Sequence, residues 1–327
     1  VFMPCPTGGA CDLLRRWRHG AGLLRNRDLH QTGPMTSDSY DVIVIGGGPA
    51  GENAADYAIR GSDRTALLVE HERVGGECSY WACMPSKALL RPLDVRAAAE
   101  HLEGLPPHVP VDAAALFARR DSWVSHYDDS GQVSWATGAG IDVVRGTGRL
   151  AGERRVQVTT DGVTREVEAR IAVVLATGSV AVVPDTFASV HPWTSRDATG
   201  LTEVPESIAV VGGGVVSVEA CTWLAGLGAR VTLLVRGRRL LERFEPFASD
   251  LVAEGLRAAG VDVQFGADVS RAERPDGRDT GVGRVHGGPV TLTVDGASRD
   301  FAEVLVATGR RPATDALGLE TVGLPAD

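Results

Sequence analysis

Cys78 and Cys83 stand five positions apart in the stretch GGECSYWACMPSKALL, and four residues further on is Lys87, the one lysine among 33 Lys and Arg residues. Such a pair suits a metal site, a structural disulfide or a redox-active dithiol. Tetrahedral zinc asks for four ligands, commonly from two closely spaced pairs, and no second Cys or His cluster of that spacing occurs. A bridge needs Cα atoms about 4.4–6.8 Å apart. Five residues of regular helix rise ~7.5 Å, so bridging requires a distorted turn between the two. Pro85 suits the first turn of a helix, which predicts a helix through Lys87 to Arg91 that Pro92 stops. Cys83 then lies at a helix N-terminus, where the dipole favours a thiolate. The plain alternative is two unreactive core cysteines. Cys221 reads as a small packing residue, and Cys5 and Cys11 receive no role.

The elements that must position this pair are written twice. Residues 40–70, YDVIVIGGGPAGENAADYAIRGSDRTALLVE, align without gaps on residues 206–236, ESIAVVGGGVVSVEACTWLAGLGARVTLLVR. Each reads as an apolar strand, a Gly-rich turn, a helix and a second apolar strand. That is a βαβ unit, whose right-handed crossover implies a parallel sheet with helices on its faces. In the first unit Gly46 permits the tight turn, Gly48 lets the backbone approach a pyrophosphate and Gly51 allows close helix–strand packing. Glu70 follows 19 residues after Gly51, at the strand end where a ribose hydroxyl is held. In the second unit Gly212 and Gly214 keep the pattern, Ser217 replaces the third Gly, and Arg236 takes the place of Glu70, with Arg238 and Arg239 behind it. A carboxylate accepts hydrogen bonds from a free 2′-hydroxyl and a guanidinium suits a 2′-phosphate, so the second unit is expected to prefer NADPH over NADH. The bland reading of RGRR is a solvated basic turn.

Both units are followed by a strand ending in Ala-Thr-Gly, at Ala176–Thr177–Gly178 and again at residues 307–309. A helical region from Ala88 to about Trp135 and a strand pair around residues 140–160 separate the first unit from its Ala-Thr-Gly. Residues 275–288 read as a polar hairpin-like loop. Residues 1–39 carry no strand pattern; their first 34 hold five Arg against two Asp, which fits an upstream extension before a natural start at Met35 better than a transit peptide. The net charge of −9 argues against nucleic acid or an anionic membrane as partner. No apolar run approaches the ~18 residues of a membrane span. Five cysteines, an odd count, in a chain this large point to a reducing setting, the cytoplasm.

Taken together, GGGPAG (46–51), Glu70, CSYWACMPSK (78–87), ATGS (176–179), GGGVVSVE (212–219) and ATGRRP (307–312) resemble, in order, the flavin-dependent pyridine nucleotide–disulfide oxidoreductases, the group that includes dihydrolipoamide dehydrogenase, glutathione reductase and mercuric reductase. The resemblance implies an α/β fold of two Rossmann-like FAD- and NAD(P)-binding domains with parallel sheets. The FAD-binding domain with the redox-active disulfide is expected at 40–200 and the NAD(P)H-binding domain at 201–312. Residues 313–327 then begin the return to the FAD domain. FAD is expected at Gly46, Gly48, Pro49, Ala50, Gly51 and Glu70, with Gly76, Lys87, Gly148 and the strand end at 176–178 around it. NADPH is expected at Gly212, Gly214, Val215, Val216 and Ser217, with Glu219, Arg236, Gly309 and Arg310.

The resemblance further implies that Cys83 forms the charge-transfer thiolate and Cys78 exchanges with substrate, while Lys87 pairs with Glu219 beside the flavin. Members of the family continue past the position of Asp327 into a Gly-Asp segment and a dimerisation domain, so a C-terminally truncated member is expected, a homodimer in its full-length form. Two features depart from the family. Glu77 and the SYWA stretch (79–82) replace the Thr and the small or Asn-containing residues common around the first cysteine, and Tyr80 and Trp81 are expected to narrow access to the pair. Val215 stands where some members carry an aromatic gate. The implied reaction passes electrons from NADPH through FAD to Cys78–Cys83 and on to a small-molecule disulfide. The alternatives are another acceptor, such as mercuric ion or a quinone, and a catalytically inactive nucleotide-binding remnant.

Overall fold

A computed structural model describes residues 38–100, 102–104 and 110–325 of the chain. The expectations for the N-terminal extension up to residue 37, including Cys5 and Cys11, lie outside the described residues; its last residue, Ser39, instead opens the first strand by pairing with Glu168.

The first βαβ unit forms as its pattern predicts: β1 (Ser39–Ile45), α1 (Pro49–Ile59) and β2 (Ala66–Glu70). From Val42 on, the side chains of β1 alternate: Ile43 and Ile45 enter one core cluster, Val42 and Val44 another on the opposite face, and a register shift between Tyr40 and Val42 puts Tyr40 with Ile43. A strand buried on both faces needs apolar residues at nearly every position, and VIVI supplies them. Strands β3 (Ile141–Arg145), β4 (Thr147–Gly152), β5 (Arg155–Thr160) and β6 (Val163–Leu175) complete a six-stranded sheet of order β3-β2-β1-β6-β5-β4. Strand β6 serves two partners: its first half pairs antiparallel with β5, its second half parallel with β1.

The second unit builds β8 (Ser207–Val211), α7 (Val215–Gly226) and β9 (Arg230–Val235). With β10 (Asp262–Phe265) and β14 (Glu303–Val306) they make an all-parallel sheet of order β10-β9-β8-β14. A three-stranded antiparallel sheet of β11 (Val269–Glu273), β12 (Val290–Val294) and β13 (Ala297–Phe301) packs beside it. The polar stretch expected as a hairpin loop does join β11 to β12. It is held down by a fully buried ion pair, Arg274 Nη2 to Glu303 Oε1 at 2.5 Å. A short antiparallel ribbon pairs β7 (Ser179–Ala181), which follows the first large sheet in sequence, with β15 (Arg310–Pro312), which follows the second. Beyond it, Leu317 and Leu319 return to the core of the first sheet, where Leu150 N–H donates to Leu317 O.

One helix departs from expectation. The helix carrying Lys87 does not stop at Pro92; it runs from Cys83 to Glu100 as α3, with Pro92 inside. An internal proline costs about 3 kcal/mol. Leu89 and Leu93, on one face of α3, are 0% and 4% exposed in the same core cluster as Trp223 and Leu224 of α7. Two such burials are worth roughly 3–6 kcal/mol, so packing against α7 carries the helix through the proline. Among the described residues no helix is long and apolar enough to cross a membrane.

Candidate active site

The distorted turn required between the cysteines is present. Helix α2 (Gly76–Tyr80) ends at Trp81, whose φ of −127° and ψ of −7° are not helical, and α3 restarts at Cys83. The break turns the chain so that Cys78 and Cys83, both free thiols, stand side by side in the wall of one cavity. The entry to α2 depends on glycine. Gly75 and Gly76 have φ of +106° and +54°, and a Cβ on Gly76 would lie 2.7 Å from the Cα of Gly48. The loop before the cysteines and the Gly-rich turn after β1 can touch only because neither residue has a side chain.

Both cysteines line a cavity of about 770 Å³. Its floor is the β1–α1 turn, with Gly46, Gly48, Pro49 and Ala50; its walls hold Glu70, Gly76, Gly148 and the strand end Ala176–Thr177–Gly178. A smaller cavity, about 200 Å³, opens at the second unit on Gly214, Val215, Val216, Gly309 and Arg310. The two share Ala181, Ser195 and Arg310 in their walls, so groups held in them meet there. Lys87, Glu219, Gly51, Gly212, Ser217 and Arg236 are among the expected site residues that line neither.

Two observations bear on whether these residues fit dinucleotides. Helices α4 (Ala113–Trp123) and α6 (Ser195–Gly200) are capped at their N-termini by the side chains of Asp112 and Thr194. Helices α1 and α7, whose first turns face the two cavities, have glycine at the N-cap and no side-chain cap. Their leading N–H groups and positive dipole ends are left for an anion, which is what a pyrophosphate supplies. Second, the Glu70 carboxylate sits at the edge of the large cavity and is held by Gly47 N–H at 2.7 Å and Glu72 N–H at 2.7 Å. Burial alone would raise this carboxyl; hydrogen bonds from His71, Glu72 and Gly47 outweigh it and leave the group lowered and ionised. A fixed, ionised carboxylate is a suitable acceptor for ribose hydroxyls. The residues present fit FAD at the first unit.

Lys87 projects from α3 toward α7. Its charge acts on Cys78 and on Glu219, lowering both, although no salt bridge joins Lys87 to Glu219 among the described residues. Burial is the larger influence on Glu219 and raises its carboxyl. The expected pairing is therefore a facing of charges across the α3–α7 contact. Arg236 and Arg238 are exposed at the end of β9 and form no salt bridge among the described residues. Val215 is exposed at the mouth of the small cavity.

The Cys78 thiol is pushed up to about 11, first by burial and then by its hydrogen bond to Cys83 and the charge there; Lys87 opposes this only in part. At pH 7 the thiolate fraction of Cys78 is then on the order of 10⁻⁴. Alkylation of reduced Cys78 by iodoacetamide, followed by peptide mapping, is expected to quicken about tenfold per pH unit from pH 7 to pH 10. A rate that levels off below pH 9 would contradict this assignment.

Of the two aromatic residues expected to narrow access, only Trp81 does so. Tyr80 is 3% exposed, turned into the protein beneath Gly75, while Trp81 lines the cavity. Sequence reasoning missed Ser195 and Arg196, which α6 brings to the cavity wall, and Glu72 and Arg73 just after β2. The Thr194-x-x-Asp197 capping box that starts α6 is a readable helix signal. Nothing local says that the helix lands 118 residues back, against Trp81.

The profile of the pyridine nucleotide-disulphide oxidoreductases matches residues 40–327. Mercuric reductase from Staphylococcus aureus is 31% identical over 291 residues, covering 87% of this chain and 51% of that protein. Mercuric reductase from Streptomyces lividans is 36% identical, covering 87% and 60%. Dihydrolipoyl dehydrogenase 3 of Pseudomonas aeruginosa is 34% identical, covering 89% and 62%. In fold the chain is similar to the HOCl-induced flavoprotein disulfide reductase RclA from Escherichia coli, with a TM-score of 0.72 and 24% identity over 88% of this chain and 60% of that one. The chain thus spans between 51% and 62% of the length of these relatives. With the paired βαβ units, the two uncapped helix ends and the cysteine turn all falling inside the matched residues, the chain belongs to the pyridine nucleotide-disulphide oxidoreductase family.

Proposed function

We propose that the protein is a flavin-dependent reductase in which electrons pass from NADPH through FAD to the Cys78–Cys83 pair and on to a small-molecule disulfide. The observation that carries this reading is the placing of both cysteines in the wall of the cavity that also holds the uncapped end of α1 and Glu70. A bound flavin would supply the two-electron carrier between nicotinamide and sulfur. The protein's own groups do the rest. The N-terminus of α1 receives the pyrophosphate, and Glu70 receives a ribose. Cys78 gives up its proton and attacks the substrate disulfide, forming a mixed disulfide and releasing one substrate thiolate. Cys83 then attacks the Cys78 sulfur, restoring the Cys78–Cys83 bond and releasing the second thiolate. Two electrons leave the dithiol and both enter the substrate. Lys87 is the positive charge that favours the Cys78 thiolate.

The preference for NADPH is supported by Arg236, exposed with Arg238 at the strand end where a carboxylate would instead accept from a 2′-hydroxyl. Domain limits of 40–200, 201–312 and 313–327, a cytoplasmic setting and a homodimer in the full-length form belong to the same reading. A second acceptor has an observation in its favour. Paired thiols are soft donors suited to mercuric ion as substrate, and two of the relatives above are named mercuric reductases.

Flavin reduction followed in a stopped-flow instrument tests the reading. NADPH is expected to reduce the bound flavin at least about tenfold faster than NADH at equal low concentration, and Arg236→Glu to remove that advantage. Faster reduction by NADH would overturn the nucleotide assignment. A protein that takes up no flavin would overturn the function.

A further inference from the structure

The turn between the cysteines is gripped from a distant part of the chain. Arg196 of α6 reaches two carboxylates that precede the turn in sequence. Its Nε donates to Glu77 Oε1 at 2.7 Å and its Nη2 to Glu72 Oε2 at 2.9 Å, with Nη2 also bound to Glu77. The same guanidinium lies over the Trp81 ring, 5.1 Å from its centroid. One helical turn further on, Thr199 Oγ donates to the Trp81 carbonyl at 2.8 Å. A single short helix therefore holds both the main chain and the side chain of the residue at which α2 breaks.

Trp81 has further partners. Tyr127 packs against it with ring centroids 4.7 Å apart and planes tilted by 34°, and Trp81 Nε1–H donates to Glu72 Oε1 at 3.3 Å. Tyr127 belongs to three consecutive residues with positive φ, 50° to 62°, an arrangement non-glycine residues adopt only when their surroundings impose it. Helix α6 is itself fixed at both ends. Its N-terminus has the Thr194–Asp197 capping box, and its final carbonyls, Thr199 O and Leu201 O, accept from the buried guanidinium of Arg120. Glu77 immediately precedes Cys78, and Trp81 lies two residues before Cys83, so two of the three residues Arg196 holds sit within two residues of a cysteine.

We propose that Arg196 is a positioning residue for the Cys78–Cys83 centre: its fork to Glu77 and Glu72 and its cover over Trp81 preset the broken helix in which the two sulfurs meet. This rests on the dithiol reading above and adds to it a residue outside the motif. Holding two thiols in contact raises their effective concentration toward each other, so the closed disulfide is favoured over an equivalent unconstrained pair. Freed of Arg196, Trp81 and α2 gain freedom that must be given up each time the bridge forms.

The test is equilibrium with glutathione, which needs neither flavin nor turnover. Glutathione disulfide accepts the two electrons and two protons that Cys78 and Cys83 lose as their bond forms, giving two glutathione thiols. The bridged fraction is read by acid quenching, alkylation and peptide mass mapping across a series of glutathione ratios. Arg196→Gln is expected to shift the constant at least tenfold toward the dithiol, which raises the two-electron potential by about 30 mV. Arg196→Lys keeps the charge but loses the planar fork, and is expected to recover less than half of that shift on a logarithmic scale. Arg230→Gln removes an equal charge from an exposed pair with Glu206 and is expected to stay within twofold of the wild type.

An Arg196→Gln constant within twofold of the wild type overturns the proposal, as does full recovery in Arg196→Lys or an equal shift in Arg230→Gln. If Arg196→Gln does not fold, Arg196→Lys alone decides, and a wild-type constant there overturns it. A wild-type protein that never bridges Cys78 to Cys83 at any ratio overturns the dithiol reading and this proposal together.

Discussion

Replacement of Cys78 by serine is expected to lower NADPH-driven reduction of 5,5′-dithiobis(2-nitrobenzoate) at least about a thousandfold while bound flavin is still reduced at an undiminished rate. A serine hydroxyl is too weakly acidic to attack a disulfide near neutral pH and cannot form the mixed disulfide. Cys83 remains and can form one mixed disulfide, but no second thiol is there to resolve it: Cys221, the third described cysteine, is fully buried, and burial pushes its thiol up beyond the reach of neutral-pH chemistry. The measurement is the release of the coloured thiol set beside stopped-flow flavin reduction. Loss of the first with retention of the second places the cysteines after the flavin. A variant that reduces the disulfide at more than a tenth of the wild-type rate would show electrons leaving the flavin by another route, as a quinone acceptor would take them.

Gly51→Ala is expected to be the most damaging single methyl group in the first unit. A Cβ at Gly51 would lie 1.8 Å from the carbonyl oxygen of Gly46, a main-chain atom that cannot rotate away. Helix α1 must then lift from the β1 strand end, and the uncapped N–H groups leave the positions from which they face the cavity. Overpacking of this kind costs roughly 1–3 kcal/mol where side chains can adjust and more where backbone is struck, so about 3 kcal/mol or above is expected from urea unfolding. Flavin content, read as the visible absorbance per protein, is expected to fall to less than a tenth. The second unit supplies the internal comparison. Ser217 occupies the same place in α7, fully buried, with its hydroxyl unpartnered, so that turn already makes room for a side chain. Ser217→Gly is accordingly expected to cost far less. Equal stability of Gly51→Ala and the wild type would show that the two turns are interchangeable after all.

What was legible in the residues, and what was not, follows the range of the interactions involved. The two βαβ units were readable because strands buried on both faces are written as short continuous apolar runs and the turn glycines answer a local clash. The broken helix between the cysteines was readable from a rise per residue set against a bridging distance. The course of α3 beyond Pro92 was not, because Leu89 and Leu93 find their partners on a helix more than a hundred residues away, and proline's local cost is the smaller quantity. Tyr80 and Trp81 look alike in a sequence, yet one is buried under Gly75 and the other faces the cavity. Which way each turns depends on the break that separates them. Arg196 carried no signal at all. One arginine among 32 declares itself only when α6 sets it beside Glu72, Glu77 and Trp81.

Helix α3 begins at one of the two cysteines and buries its middle against α7, the helix of the other nucleotide unit. The rod that carries Cys83 and Lys87 is thus encoded with the first nucleotide unit and seated against the second. Recombination between relatives at the point where one nucleotide unit gives way to the next would part Leu89 and Leu93 from the surface shaped to receive them. The two units, although each repeats the same motif and each closes its own sheet, are constrained to change together.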